Sequence, residues 1–345
     1  MKKEKDYAYI VAFFFFNRSG LKFFHLNKNL KPLPNLIKMT ASDFNNFAEI
    51  SLATYNLEAF DIDRQTALNA IVKEIEESLL DLNKQTTKDA RYKNLKVKNA
   101  TPEDYTERII EIEKGKIIIT GIRHANGNTA MPFVNIWTNF YTSEAELKEI
   151  YNFFLFDYFK VFEPKEIRYF TKNLIPSNTI SSCYLVQKSS EIKNIKPHPE
   201  EQDMKLISPA DTTYYDWYVT GYKNFHAQFP TLENSVPLNS LAVMEESNAA
   251  GLLKLAIYKG KEIGLIAATR EAFLGMDGLY FLEIFMDENY KGKGLAKSIQ
   301  RKFVAEFSQD EDFIWGTVDY HNKPSFKTAL SNKRLAIRFE NCIAL

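Results

Sequence analysis

LYFLEIFMDENYKGKGLAKSIQR, residues 279–301, carries the most information of any stretch in the chain. Its first eight residues are apolar apart from Tyr280 and one carboxylate, Glu283, and have the Phe, Tyr and Ile content of a buried strand. The strand runs straight into Tyr290-Lys291-Gly292-Lys293-Gly294-Leu295-Ala296. A helix is expected at once over 295–307, with Leu295, Ile299, Phe303 and Phe307 on one face. Glycines at 292 and 294 let the backbone turn tightly and keep side chains away from a ligand. The N–H groups of 292–296 would then stand unpaired at the positive end of the helix, an arrangement that binds phosphate. Lys291, Lys293, Lys297, Arg301 and Lys302 add cations over this stretch with no acid among them. The loop lacks the Gly-Lys-Ser/Thr ending of a Walker A motif and the third glycine of a dinucleotide fingerprint.

Working outward, 252–258 and 263–268 read as a β-hairpin turning at Gly260, and 214–229 as an aromatic helix. Beyond the loop come a strand at 312–319, a short helix at 322–331 and a last strand at 336–345. In the first half, 62–82 has helical spacing, and 116–121, 132–139 and 166–171 read as strands. A turn-rich connection is expected at 121–128. Ser143 opens a helix as a capping box with Glu146. Strands and helices so mixed give an α/β (α+β) class with a mixed central sheet flanked by helices. The stretch KSSEIKNIKPHPEEQDMK, 188–205, has linker composition. The expected organisation is therefore a domain at 1–190, a linker at 191–204 and a domain at 205–345.

A chain of 345 residues suits two domains. Lys plus Arg and Asp plus Glu both number 44, and this zero net charge argues against a nucleic-acid partner. The 27 Phe and 18 Tyr point first to a large packed core. Cys183 and Cys342 form no CxxC, and the five His have no metal-ligand spacing, so no metal is expected and a reducing cytoplasm fits. Lys2, Lys3 and Lys5 precede an apolar run at 7–16 that is too short to span a bilayer, which takes about 20 residues. No membrane association is expected, and 10–16 reads as a buried strand.

Tyr290 to Ala296 resembles the pyrophosphate-binding loop of the GNAT superfamily of acyl-CoA-dependent N-acyltransferases, Arg/Gln-x-x-Gly-x-Gly/Ala. Lys291 stands at the Arg/Gln position, Gly294 at the first Gly and Ala296 at the last. The resemblance covers about 205–345: GLIAA at 264–268 looks like the family's third strand, LEIFM at 282–286 like its fourth, and DYHNKPS at 319–325 like the end of its fifth. It implies acetyl-CoA as co-substrate and an amine-bearing acceptor. Lys291, Gly292, Lys293, Gly294, Leu295 and Ala296 would hold the pyrophosphate. Backbone groups of Ile284, Phe285 and Met286 would pair with the pantetheine arm, with Asn322 and Ser325 completing the cofactor-binding set. The thioester would lie near Glu283 and Ile284.

Glu283, a carboxylate in an apolar strand, is the candidate base, since desolvation raises its pKa. A structural or substrate-binding role for it is the other reading. The family's proton-donating Tyr would fall at Ala329, counted from Asn322, so Tyr320 and His321 are the candidate acids, with Ser325 also near. Tyr214, Tyr215, Trp217, Tyr218, Tyr222 and Phe225 are either core or the wall of an acceptor pocket. In the first half, 132–171 has the same strand–helix–strand order, but Thr138-Asn139-Phe140-Tyr141-Thr142 stands where the loop should be, without Gly or Lys. That half is expected to be a degenerate GNAT-like domain. The rival to an enzyme is a non-catalytic acyl-CoA-binding or protein-interaction module.

Overall fold

Caps and apolar stripes set the helices of the computed structural model, which describes residues 39–175 and 178–345; the strand expected at 10–16 lies outside them. In α1, Ala41–Leu52, Thr40 and Asp43 form a capping box. In α2, Arg64–Leu82, Asp63 caps the N-terminus, and Leu68, Ile71, Ile75 and Leu79 form the buried stripe. Next come α3, Gln85–Leu95, and the strands β1, Arg108–Glu113, β2, Lys116–His124, and β3, Pro132–Thr138. Strand β2 runs on through Gly121, where a turn is expected from sequence. The glycine is there for room: a Cβ at 121 would lie 2.0 Å from Glu107 Oε1, whose carboxylate pairs with Arg123. Ser143 and Glu146 form the expected capping box of α4, Glu144–Ile150. A wider π turn at Tyr151–Leu155 leads into α5, Phe156–Phe159, and then β4, Glu166–Thr171. Strands β1, β2 and β3 are antiparallel neighbours, and β4 lies parallel to β3.

The chain continues with β5, Thr179–Lys188, α6, Ser189–Lys193, β6, Met204–Ile207, α7, Tyr214–Gln228, and α8, Leu241–Ala249. Then follow β7, Leu253–Tyr258, β8, Lys261–Arg270, and β9, Gly278–Met286. Helix α9, Leu295–Phe307, strand β10, Phe313–Asp319, and helix α10, Lys323–Ser331, complete this part. Strands β6 to β9 form an antiparallel meander, β10 joins β9 in parallel, and β5 lies antiparallel to β10. Each face of this sheet carries a core. On one, Leu295, Ile299 and Phe303 of α9 pack on Ile266, Phe281 and Ile314. On the other, Tyr214, Tyr218 and Tyr222 of α7 pack on Leu255, Leu265 and Phe285.

The last strand, β11, Leu335–Ala344, pairs antiparallel with β4, from Phe339 opposite Thr171 to Ala344 opposite Glu166. The chain thus divides into two units that are not consecutive halves: one runs to Ser181 and includes Arg338–Leu345, and the other is Ser182–Ile337. Each is a mixed sheet with helices, built as an antiparallel meander, one parallel strand and one antiparallel strand. The strand that follows β4 in sequence lies beside β10, and the strand that follows β10 lies beside β4.

The stretch with linker composition is folded. Ile192 is in the core of the second unit, Ser189 Oγ lies 2.6 Å from Ser308 Oγ, and Arg301 Nε donates to Glu201 Oε1 at 2.8 Å. Glu201 and Arg301 are both buried. Removing one partner of a buried ion pair strands the other charge. Glu201→Ala should therefore lower the unfolding free energy by about 3–5 kcal/mol, measured by urea denaturation; a loss below about 1 kcal/mol would show the pair to be dispensable.

Candidate active site

Strands β9 and β10 are paired only from Gly278 and Phe313 to Tyr280 and Trp315. From Gly316 on, β10 stays with β5, while β9 from Phe281 on stays with β8. The register of β8 on β9 shifts at this point: Ala267 faces Glu283 and Ala268 faces Phe281, so Leu282 is an extra residue on β9. A bulge bends its strand and sharpens the local twist, which carries β9 away from β10. The result is a fork whose β9 edge, residues 281–286, offers backbone groups to an extended ligand.

Beyond Met286, Asp287 accepts hydrogen bonds from the Asn289 amide and, at 3.2 Å, from Trp217 Nε1. Gly292 and Gly294 both have φ +74°, and a Cβ on either would meet nothing within 4 Å. Glycine is needed there for the left-handed backbone, and the space beside the backbone stays open. Gly294 is the N-cap of α9, and no side chain caps this helix. Lys291 and Lys293 are exposed beside it; Lys293 Nζ donates to the Asn289 carbonyl at 2.8 Å. Two cations counted with the loop in sequence belong elsewhere. Arg301 is buried on Glu201, and Lys302 Nζ pairs with Glu306 at 2.9 Å. The cations that remain beside the loop are Lys291, whose Nζ lies 3.7 Å from Glu288, Lys293 and Lys297.

Glu283 is buried at the bulge. Its Oε2 accepts from the Tyr218 hydroxyl, from the Tyr222 hydroxyl at 2.7 Å and from Asn239 Nδ2 at 3.2 Å, and its Oε1 accepts from the Ile284 amide at 2.9 Å. Burial pushes its pKa up, against the pull of these donors. Burial and the neighbouring Glu283 charge push both tyrosine hydroxyls up as well. Asn239 is itself fixed: its amide N–H donates to Tyr218 Oη at 3.2 Å and its carbonyl accepts from the Tyr215 hydroxyl at 2.9 Å. The aromatic residues of α7 thus serve two ends, core packing and hydroxyl donation to one carboxylate.

The other expected residues are placed as follows. Ile284, Phe285 and Met286 lie on the open part of β9. Asn322 is the buried N-cap of α10, accepting from the Ser325 amide at 3.4 Å. Ala329 is fully buried. Tyr320 packs edge-on against Phe326, with Lys323 Nζ 3.7 Å over its ring, and His321 is exposed 3.6 Å from Asp319. Neither Tyr320 nor His321 is among the partners of Glu283. Tyr218, Tyr222 and Asn239 are, and only the two tyrosines had a signal in sequence, their i, i+4 spacing.

No protein-family model matches the sequence, and a search of curated proteins finds no match. Among solved structures, the GCN5-related N-acetyltransferase of Sphaerobacter thermophilus aligns with 89% of this chain and 94% of its own, at 9% identity and a TM-score of 0.52. The chain has the GNAT fold. A GNAT-family acetyltransferase from Colwellia psychrerythraea aligns with 66% of this chain and 85% of its own, at 11% identity and TM-score 0.41. Arabidopsis thaliana Naa50, in complex with the bisubstrate analogue CoA-Ac-MVNAL, aligns with 41% of this chain and 99% of its own, at 17% identity and TM-score 0.29.

The two units differ at the helix start beyond the fork. The first also has a fork, since β3 and β4 pair only from Phe133 and Glu166 to Asn135 and Arg168. Yet α4 begins with the capping box of Ser143 and Glu146, with Glu144 also in its first turn. Asn139 accepts from the Ile117 amide and donates to the Gly115 carbonyl. That helix start is capped and acidic, whereas the start of α9 is uncapped, glycine-flanked and basic.

A pH test follows for Glu283. A carboxylate whose pKa is raised by folding contributes stability below its unfolded pKa, near about 4.3, and loses it as pH rises through the folded value. Glu283→Gln has no such loss. The melting temperature of the variant should rise relative to the parent as pH increases from about 4 to about 8; a constant difference would contradict the raised pKa.

Proposed function

We propose that the second unit is an N-acyltransferase that moves an acyl group from acetyl-CoA, or a related acyl-CoA, to the amine of an acceptor. The observation that carries this is one strand–loop–helix: a buried, proton-seeking carboxylate at a bulge, an open strand edge after it, and an uncapped Gly-Lys helix start after that. The residues present fit such a co-substrate. Positive-φ glycines with open space beside them let phosphate oxygens approach the N–H groups of residues 292–296, and Lys291, Lys293 and Lys297 supply countercharge. The backbone of Ile284 to Met286 would pair with the amides of the pantetheine arm.

The chemistry assigns Glu283 a defined task. The acceptor's neutral amine attacks the thioester carbonyl, a C–N bond forms, and the C–S bond breaks with its electron pair leaving on sulfur. The nitrogen sheds a proton, which Glu283 takes directly or through an intervening water. Tyr218, Tyr222 and Asn239 hold the carboxylate in place. The leaving sulfur needs no dedicated acid, because a thiol's pKa of about 8.5 makes thiolate a tolerable leaving group near neutrality. Cys183 and Cys342 are free thiols, which supports a reducing compartment such as the cytoplasm. No helix among the described residues is long and apolar enough to cross a membrane.

Two variants separate binding from chemistry. Glu283→Gln should lower kcat by about 10²- to 10⁴-fold with the KM for acetyl-CoA little changed, in a thiol-release assay over a panel of amines. Gly294→Glu, strained at positive φ and repelling phosphate, should weaken acetyl-CoA binding by at least about 100-fold in calorimetry. Affinity within twofold of the parent would overturn the loop assignment. Tight acetyl-CoA binding with no turnover of any amine would favour a non-catalytic acyl-CoA-binding module.

A further inference from the structure

A second charged side chain lies buried at the fork, and the chemistry above does not use it. Arg334 follows α10 and is 2% exposed. Its guanidinium carbon is 5.1 Å from the centre of the Phe281 ring, and a Cβ on Gly316 would lie 3.7 Å from its Nη1. Phe281 and Gly316 are the first residues past the last β9–β10 pair. The guanidinium therefore stands at the closed end of the fork.

Among the described residues no carboxylate pairs with it. Nη2 donates to Gln300 Oε1 at a long 3.4 Å, and Nε is buried with no partner. Three other buried arginines each hold a carboxylate, Arg123 on Glu107, Arg168 on Glu166 and Arg301 on Glu201, and a fourth, Arg338, donates to the Tyr55 hydroxyl. Burial pushes the pKa of Arg334 down to about 10, which still leaves it cationic at neutral pH. A cation with spare, desolvated donors favours an anion, a planar carboxylate above all.

The order of features along β9 says which anion. From the helix start inward come the open edge at Met286 to Ile284, then Glu283, then Phe281 with Arg334. With phosphates at the first and pantetheine along the second, the thioester stands beside Glu283 and its acyl chain points to the closed end. Only the bulge residue Leu282 separates Glu283 from Phe281 along β9; Glu283 turns toward α7, and Phe281 with Arg334 lies on the α9 side. That short interval suits a short acyl chain whose terminal carboxylate meets the guanidinium in a charge-assisted hydrogen bond of about 2.8 Å. An acetyl group would leave Arg334 without a counter-ion.

We propose that the preferred donor is a short dicarboxylic acyl thioester whose free carboxylate is bound by Arg334. This rests on the acyl-CoA reading of the same site. The test is calorimetry on the full chain with CoA, acetyl-CoA, malonyl-CoA and succinyl-CoA. The parent should bind malonyl- or succinyl-CoA at least tenfold more tightly than acetyl-CoA. Arg334→Met should abolish that preference while binding acetyl-CoA within about threefold of the parent. If Arg334→Met fails to fold, Arg334→Lys, which keeps the charge but loses the planar fork of donors, should reduce the preference instead. Binding of all three thioesters with equal affinity, or a preference untouched by the substitution, would overturn the role of Arg334 alone. Failure of CoA and every thioester to bind would overturn the acyl-CoA reading itself.

Discussion

Between β9 and β10 the hydrogen-bonded ladder runs from Gly278 and Phe313 to Tyr280 and Trp315 and then stops. Everything else at the site depends on that parting. A strand that leaves its neighbour exposes polar backbone groups, which is tolerable only if its other side stays paired. Both strands meet this condition, β9 through β8 and β10 through β5. The bulge at Leu282 supplies the bend, and it also turns Glu283 toward α7, where two hydroxyls and an amide receive it. One irregular residue thus couples the opening of the sheet to the placement of its buried acid.

The two units share the fork but not the helix start beyond it. In both, a parallel pair parts after a short run of pairing and a helix begins just beyond. What separates them is how the first turn of that helix is satisfied. Ser143 and Glu146 close α4 with protein atoms and add negative charge. Gly294 leaves the first turn of α9 without a side-chain cap.

Where local pattern decides, the sequence is easily read. Strand β9 and helix α9 follow from an apolar run, two glycines and an apolar residue at every fourth position, and Ser143 with Glu146 is a self-contained cap. Residues held by distant partners are harder. Gly121 signals a turn, but it is a strand residue emptied to make way for Glu107. The polar stretch at 191–204, with its two prolines, looks unanchored because its anchors, Ile192 and Glu201, are single residues. Arg301 counts as a loop cation until its burial on Glu201 is known. Tyr218 and Tyr222 are legible as an aromatic stripe; that their hydroxyls converge on Glu283 depends on how α7 crosses β9. Asn239, in a connection between helices, carries no local signal at all.

The exchange of final strands has a consequence for synthesis. As the chain emerges, the first unit has β1 to β4 long before β11, which lies some 170 residues later. At about 5–20 residues per second, the edge of β4 waits roughly 10–35 seconds for its partner. An unpaired strand edge invites wrong pairing in that interval, and the contacts that finally cover it span about half of the chain, the slow kind to form. Premature termination has an equally indirect effect: a ribosome that stopped just before Leu335 would release a nearly whole second unit and an unfinished first one.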